Sequence, residues 1–152
     1  MIALAAQGTE ELVRNEARFR FIFENVPVGL SWFRVGHQHE KHLVNSAHAR
    51  ITGVSGEKCT DPGNYVATTH PEDSIRQKEL TDRLYRGEID HFTMEKRYLH
   101  PGGRIVWCVI TVHHFREPVS GEIQQVASLV DITEHKRVQE ELARKEAESR
   151  FI

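Results

Sequence analysis

Histidine is the residue type in this sequence that most readily supports chemistry, because imidazole binds metal ions and exchanges protons near neutral pH. The chain has ten histidines. Their densest group includes one acidic residue and comprises His37, His39, Glu40 and His42. Such a group could gather a zinc ion, although structural zinc sites usually combine Cys and His on firm geometry. A solvated polar loop is therefore the favoured interpretation, and a metal site or a metal-dependent enzyme stays open as the alternative.

The two cysteines and the glycines give no sign of catalysis. Cys59 and Cys108 are far apart and stand in no metal-ligand spacing, so idle thiols in a reducing compartment are favoured over a disulfide. Neither has an evident activating cation beside it. The glycines of "HPGGR" lie between two predicted strands and indicate a turn rather than a phosphate loop. No Ser/His/Asp or Cys/His pairing is recognisable, and we predict a chain that is not itself an enzyme.

Composition limits the class of protein. The 152 residues are 39% hydrophobic and 28% charged, with a formal net charge of −2, as in one globular domain with flanking segments. This balance gives no indication of binding to nucleic acid or to an anionic membrane. Apolar runs are far shorter than the roughly 20 residues that span a bilayer, and the acidic start lacks the basic region of a signal peptide. We therefore expect a cytoplasmic domain.

Apolar periodicity and turn residues divide the chain into helices and strands. Helices are predicted over 9–25, 46–53 and 70–88, and strands over 28–35, 41–45, 91–99, 104–115 and 122–130. The segment 54–69 is broken by glycine and proline and is expected to form loops and short turns. A last helix is predicted to begin at Asp131, with Glu134 completing a capping box. This order predicts an α+β fold, with a five-stranded antiparallel sheet, a helical crossover on one face and flanking terminal helices.

Five short motifs in this order resemble those of a PAS domain, over about residues 16–142. They are "FENVPVGL" (23–30), "NSAHARITG" (45–53), "HPED" (70–73), "YLHPGGRIVW" (98–107) and "DITEHKRVQEEL" (131–142). The fourth is similar to the PAS/PAC type, in its PAS-3-like branch. The last resembles the exit motif that joins the final strand to a signalling helix. The resemblance implies a domain at 23–131 between linker helices at 1–22 and 132–152.

The two ends of the chain resemble each other. The segments "EELVRNEA" (10–17) and "EELARKEA" (140–147) agree at six of eight positions, and an Arg-Phe pair follows each. Their separation is about one domain length, so both ends are interpreted as copies of an inter-domain linker in a tandem array. A chance match between helices rich in Glu, Arg and Ala stays open.

The resemblance also implies a cavity between the sheet and the crossover helices. The even register of the fourth strand is uniformly apolar and the odd register is mixed, and the resemblance points the even register inward. The predicted pocket residues are Ser31, Phe33, His48, Ile51, Thr52, Met94, Tyr98, Cys108, Ile110, Val112, Gln125, Ala127 and Leu129. His48 is the polar group most readily assigned to a ligand, and it shares a helix face with Thr52. A core filled by side chains, with no ligand, is the alternative.

No cofactor is assigned. Haem-binding PAS domains commonly take their iron ligand from the long helix, and residues 71–87 contain no histidine, so haem is disfavoured. The flavin-binding branch carries a reactive cysteine in an Asn-Cys-Arg-Phe motif that is absent around Cys59, so flavin is disfavoured too. His135 lacks the sequence context of a kinase phosphoacceptor, and the Gly-Gly-Asp-Glu-Phe motif of cyclases is missing.

The implied function is a non-catalytic sensory or signal-relay module of a tandem-PAS bacterial signalling protein, such as a sensor histidine kinase or a cyclic-dinucleotide enzyme. A small ligand or partner would act on the sheet, and Asp131, Ile132 and Thr133 would transmit the change to the final helix. Neighbouring PAS or output domains are expected partners. A ligand-free spacer and dimerisation module is the alternative.

The outer sheet face has an expected role in assembly. Trp107 and Val109 in the mixed register would leave an apolar patch in water, and such patches usually mark contact surfaces. We expect this patch to be covered by the N-terminal helix, through Leu12 and Phe19, or by a second protomer. A homodimer through the flanking helices is expected.

Overall fold

A computed structural model describes residues 2–37, 40–54 and 68–150 of the chain. In these ranges the chain forms four helices and a five-stranded antiparallel sheet, which confirms the predicted α+β class. The elements are α1 (Ile2–Asn25), β1 (Gly29–Arg34), β2 (His42–Val44), α2 (Ser46–Thr52), α3 (Pro71–Tyr85), β3 (His91–Leu99), β4 (Ile105–Arg116), β5 (Ile123–Asp131) and α4 (Thr133–Ser149). Most of the loop predicted at 54–69 lies outside the described residues, as do Cys59 and His39.

The last strand of the chain occupies the centre of the sheet. The strand order is β2-β1-β5-β4-β3, and β5 is antiparallel to both of its neighbours. Its pairing with β4 runs without interruption from Arg116 opposite Ile123 to Cys108 opposite Asp131. The strand that leads into α4 is therefore hydrogen-bonded to both halves of the sheet.

One sheet face, here called the inner face, packs against α2 and α3 and contains the core. The even register of β4 lies on this face, as predicted, because alternate side chains of a strand point to opposite sides. The buried apolar cluster of this core comprises Ile51, Leu84, Phe92, Met94, Tyr98, Val106, Cys108, Ile110, Val112 and Leu129. Burial of these side chains provides the main favourable free energy of folding.

Glycine ends α2 where the sequence predicts it. Gly53 has a φ of 73°, a left-handed conformation that costs glycine little, and its N–H donates to the carbonyl of Ala49 at 2.8 Å. A Cβ atom at this position would lie 2.5 Å from Cδ of Pro101. A larger residue would therefore clash as well as strain the backbone.

Two helix starts differ from the prediction. The first helix begins at Ile2 rather than at residue 9, because residues 2–6 are rich in Ala and Leu, which favour helix. The last helix begins at Thr133 rather than at Asp131. The N–H of Ile132 still donates to the carbonyl of Trp107 at 2.8 Å. The backbone therefore stays bonded to the sheet past Asp131, and the helix can begin only after Ile132.

The predicted capping box is therefore wrong. Ile132 occupies the N-cap position and has no side-chain acceptor, while Glu134 pairs with Arg137 instead of reaching back. None of the described helices combines the length and the apolar character needed to cross a membrane.

Candidate functional site

The predicted pocket residues come together on the inner face and on the side of α2 that packs against it. Nine of them are buried in the strands and α2, namely Ser31, Ile51, Thr52, Met94, Tyr98, Cys108, Ile110, Val112 and Leu129. Phe33 is also buried, and Ala127 is partly buried against the main core cluster. The set therefore forms one contiguous, mostly apolar surface with few polar groups.

A polar row crosses one end of this surface. Strand pairing aligns His42 with Phe33, Phe33 with Gln125, and Gln125 with His114. The ring of His42 packs against Phe33 with centroids 4.9 Å apart, and His114 Nε2 lies 2.9 Å from Gln125 Oε1. Both ring nitrogens of His42 are buried without a hydrogen-bond partner among the described residues. Burial also lowers the pKa of His42, which favours the neutral ring.

His48 projects from α2 toward the same region. Burial, assisted by the nearby His42 and Lys96, lowers the pKa of His48 to about 4. The imidazole is therefore neutral at physiological pH, with one ring nitrogen protonated and the other able to accept a hydrogen bond. The hydroxyl of Thr52, in contrast, donates to the backbone carbonyl of His48 at 2.9 Å. Its proton is therefore used in a hydrogen bond within α2.

Lys96 is completely buried on the inner face, although it is not among the residues predicted to lie there. Its Nζ atom donates to Thr69 Oγ1 at 2.9 Å and to Gln77 Oε1 at 2.7 Å. The same atom lies 4.1 Å from the ring centroid of Tyr98. Burial lowers the pKa of this ammonium to about 7. Strand alternation between Met94 and Tyr98 was sufficient to place the residue inward, but lysine is almost never fully buried.

The junction between β5 and α4 is held by a small hydrogen-bond network. Asp131 Oδ1 accepts hydrogen bonds from the N–H of Thr133 at 2.9 Å and from its hydroxyl at 2.6 Å. The same hydroxyl oxygen accepts from the N–H of Trp107 at 3.0 Å. The start of the exit helix is thereby tied to both β4 and the end of β5.

The first turn of α4 docks on the outer face of the sheet, where Trp107 and Val109 are half-buried. Lys136 forms an ion pair with Glu95 at 2.7 Å, and its Nζ lies 4.9 Å from the Trp107 ring centroid. The guanidinium of Arg97 lies 5.2 Å from the same centroid. Two cations therefore flank the indole, an arrangement that aromatic rings favour.

The expected cover of Trp107 by the N-terminal helix is wrong. Phe19 instead makes an edge contact with Trp32, with centroids 6.3 Å apart, and Leu12 is 68% exposed. Helix α1 leads directly into β1, which carries Trp32, whereas β5 separates β1 from the strand that carries Trp107. Proximity along the chain therefore decides which tryptophan the helix reaches.

The structure describes three members of the predicted histidine group, His37, Glu40 and His42, whereas His39 lies outside the described residues. His37 pairs with Glu40, with Nδ1 and Oε1 3.2 Å apart, while His42 lies against Phe33. No group of three or more His, Cys, Asp or Glu side chains among the described residues is arranged to hold a metal ion. Burial raises the pKa of the Cys108 thiol to about 12, so this thiol is unreactive at neutral pH.

This architecture is that of a PAS domain. The chain is similar to the PAS domain of a protein from Colwellia psychrerythraea, with a TM-score of 0.59 and 18% identity over 81% of this chain and 98% of that one. It is also similar to a sensory box histidine kinase/response regulator from Burkholderia thailandensis, with a TM-score of 0.61 and 18% identity over 89% and 99% of the two chains. The PAS fold predicted from the five motifs is confirmed.

Two curated relatives carry similar sequences within much longer chains. The probable diguanylate cyclase DgcE of Escherichia coli K12 is 28% identical over 131 residues, which are 86% of this chain and 12% of that protein. The sensor histidine kinase TmoS of Ectopseudomonas mendocina is 29% identical over 139 residues, which are 90% of this chain and 14% of that protein. No family model matches the chain.

Proposed function

We propose that this chain is a non-catalytic sensory or signal-relay PAS module of a larger cytoplasmic signal-transduction protein, a histidine kinase or a cyclic-dinucleotide enzyme. The similarity to short parts of a probable diguanylate cyclase and a sensor histidine kinase supports a role as one module among several. Catalysis and output then belong to neighbouring domains.

The proposed module extends over residues 23–131, between a linker helix at 1–22 and an exit helix at 132–152. Burial along α1 supports the first boundary, because the side chains from Ala5 to Ile22 are exposed and Phe23 is buried. The absence of buried residues from α4 supports the second.

The proposed input is a small ligand at the polar end of the inner face. A buried polar group without a partner costs about 1–3 kcal/mol, and the two ring nitrogens of His42, which have no hydrogen-bond partner among the described residues, represent such a cost. A ligand that hydrogen-bonds to His42 and His48 would remove it. Met94, Ile110 and Leu129 provide apolar surface for the rest of the molecule.

The proposed output runs through Asp131, Ile132 and Thr133 into α4. One observation carries this proposal: the central strand passes into the helix without a loop, and hydrogen bonds hold the junction to Trp107. A ligand can drive the helix only if it binds two arrangements of the sheet with different affinities.

The test replaces Asp131 with alanine in the full-length parent protein. This change removes both hydrogen bonds to Thr133, and we expect the output activity to lose its response to stimulus. The side chain is exposed, so the free energy of unfolding should change by no more than about 1 kcal/mol. Glu134→Ala, at an exposed position beside the junction, should respond normally. Normal regulation of the Asp131→Ala protein would contradict the proposed route.

A ligand-free spacer and dimerisation module is the second candidate. The dense packing of Cys108, Ile110 and Leu129, each at most 2% exposed, favours it. Native mass spectrometry of freshly purified protein distinguishes the two. A bound organic mass that His48→Phe removes supports sensing, whereas an empty chain of unchanged stability in the same variant supports the spacer.

A further inference from the structure

Two histidines face each other on the outer face of the sheet, away from the polar row and from the exit helix. His91 in β3 and His113 in β4 are directly paired across the antiparallel ladder. Their rings are stacked, with centroids 4.9 Å apart and an angle of 12° between the planes. Both side chains are exposed. In the next cross-strand pair on the outer face, the hydroxyls of Thr93 and Thr111 lie 3.1 Å apart. This contact joins the two strands beside the histidines.

Asp90 orients one of the two rings. Its Oδ1 atom lies 2.5 Å from His91 Nδ1. A carboxylate in this position fixes the tautomer that carries the proton on Nδ1, so Nε2 presents its lone pair to solvent. The hydrogen bond from His91, and then the charges of His91 and His113, lower the pKa of Asp90. All three groups are therefore within electrostatic reach of one another.

We propose that His91 and His113 form a two-imidazole site for a divalent transition-metal ion, Cu²⁺ or Zn²⁺. Imidazole suits both ions, and Cu²⁺ is the stronger binder in the general affinity order. Metal-ligating histidines almost always use their second nitrogen to contact a carboxylate, a carbonyl or water, and Asp90 supplies the carboxylate. Water would fill the remaining coordination positions.

Binding requires the two rings to leave their stacked arrangement. Imidazole binds a metal ion through the lone pair in its ring plane, and two metal–nitrogen bonds of about 2.0–2.1 Å join nitrogens at most ~4.2 Å apart, so both rings must rotate until their lone pairs converge on one point. Exposed side chains change rotamer freely on the nanosecond timescale. A bound ion would cross-link β3 and β4, the two strands that contact the first turn of α4 through Glu95 and Trp107.

The test titrates the 152-residue chain with Cu²⁺ and Zn²⁺, using isothermal calorimetry for affinity and electron paramagnetic resonance for the copper ligands. We expect one equivalent bound through two nitrogens. His91→Ala and His113→Ala should each weaken binding at least tenfold, and Asp90→Asn should weaken it about tenfold through loss of orientation. His135→Ala, at an exposed histidine on α4, is the matched control and should bind as the unchanged chain does.

A second readout depends on the folded state alone. Zinc should raise the midpoint of thermal unfolding of the unchanged chain, because a ligand that binds only the native state stabilises it. The double variant His91→Ala/His113→Ala should keep its far-ultraviolet circular dichroism and lose this shift. Equal metal affinity in the double variant and the unchanged chain, or loss of binding only in His135→Ala, would overturn the proposal.

Discussion

At the scale of single residues, Lys96 is the most unusual feature of the inner face. An ammonium group with no contact with solvent is costly unless hydrogen bonds replace its hydration. Thr69 and Gln77 supply two of these bonds, and the face of Tyr98 lies against the charge. Burial nevertheless brings the pKa down to about 7, so the lysine changes its charge within the physiological range.

This shift predicts a pH dependence of stability. Below about pH 7, Lys96 is protonated in both the folded and the unfolded chain. Between about pH 7 and the ordinary lysine value of 10.5, the unfolded chain binds more protons, so the free energy of unfolding rises with pH. We expect a gain of about 2 kcal/mol from pH 7 to pH 9 relative to Lys96→Met. Urea unfolding at several pH values measures this difference.

The matched control is Lys78→Met, because Lys78 lies on α3 with its side chain in solvent. Its stability should follow the unchanged chain at each pH. Parallel pH profiles for the unchanged chain and Lys96→Met would show that burial does not shift this lysine.

At the scale of elements, Asn45 joins three segments that are separate in the sequence. Its Oδ1 accepts from the N–H groups of Leu30 in β1 and His48 in α2, both at 2.9 Å. Its Nδ2 donates to the carbonyls of Phe23 at 2.8 Å and Val28 at 2.9 Å. The side chain is 1% exposed. One amide therefore caps α2 and fixes where α1 ends and β1 begins.

Replacing Asn45 with alanine should destabilise the domain by about 3 kcal/mol or more, because four backbone groups lose their partner inside the protein. Asn45→Asp keeps the accepting oxygen but places a second, charged acceptor against the carbonyls of Phe23 and Val28, so we expect a loss at least as large as that of Asn45→Ala at neutral pH. The neighbouring Ser46→Ala, on an exposed side chain, should cost less than 1 kcal/mol. Chemical denaturation measures all three. A loss from Asn45→Ala no larger than that from Ser46→Ala would refute this role.

At the scale of the whole molecule, both flanking helices carry apolar side chains that the described part of the chain leaves exposed. On α1, Leu12, Phe21 and Ile22 are 59–69% exposed. On α4, Val138 and Leu142 are exposed in the same way. Most of the stability of a helix in a protein comes from packing of its apolar face, and exposed apolar patches usually mark contact surfaces. We therefore propose that the chain forms a homodimer through these helices.

Charge on this surface should weaken the dimer. For Phe21→Glu combined with Ile22→Glu, we expect at least a tenfold weaker self-association, because each glutamate would be desolvated at the contact. Sedimentation equilibrium over a range of concentrations provides the measurement. Gln7→Glu adds charge to a polar, exposed part of the same helix and should leave self-association unchanged. Equal dissociation constants for the two variants would contradict the helix interface.

Local sequence determined much of this architecture. Alternation placed the even register of β4 inward, glycine ended α2, and the bounds predicted for β3 match those observed. These features depend on side-chain period and backbone conformational preference, which neighbouring residues define. The same alternation along β3 predicts that Lys96 points inward. It was not predicted there because a charged side chain is expected to be exposed.

Only the tertiary structure decided which distant groups meet. It paired His91 with His113, brought Phe19 to Trp32 instead of Trp107, and left both nitrogens of His42 buried without a described partner. Strand order depends on packing between segments far apart in the chain, and the register of a hairpin depends on the conformation that its turn adopts, so side-chain alternation alone does not define either. The sequence alone therefore specified the helices and strands and the side chains on each strand face. The assembled sheet specified the candidate sites, because each site combines side chains from different strands or helices.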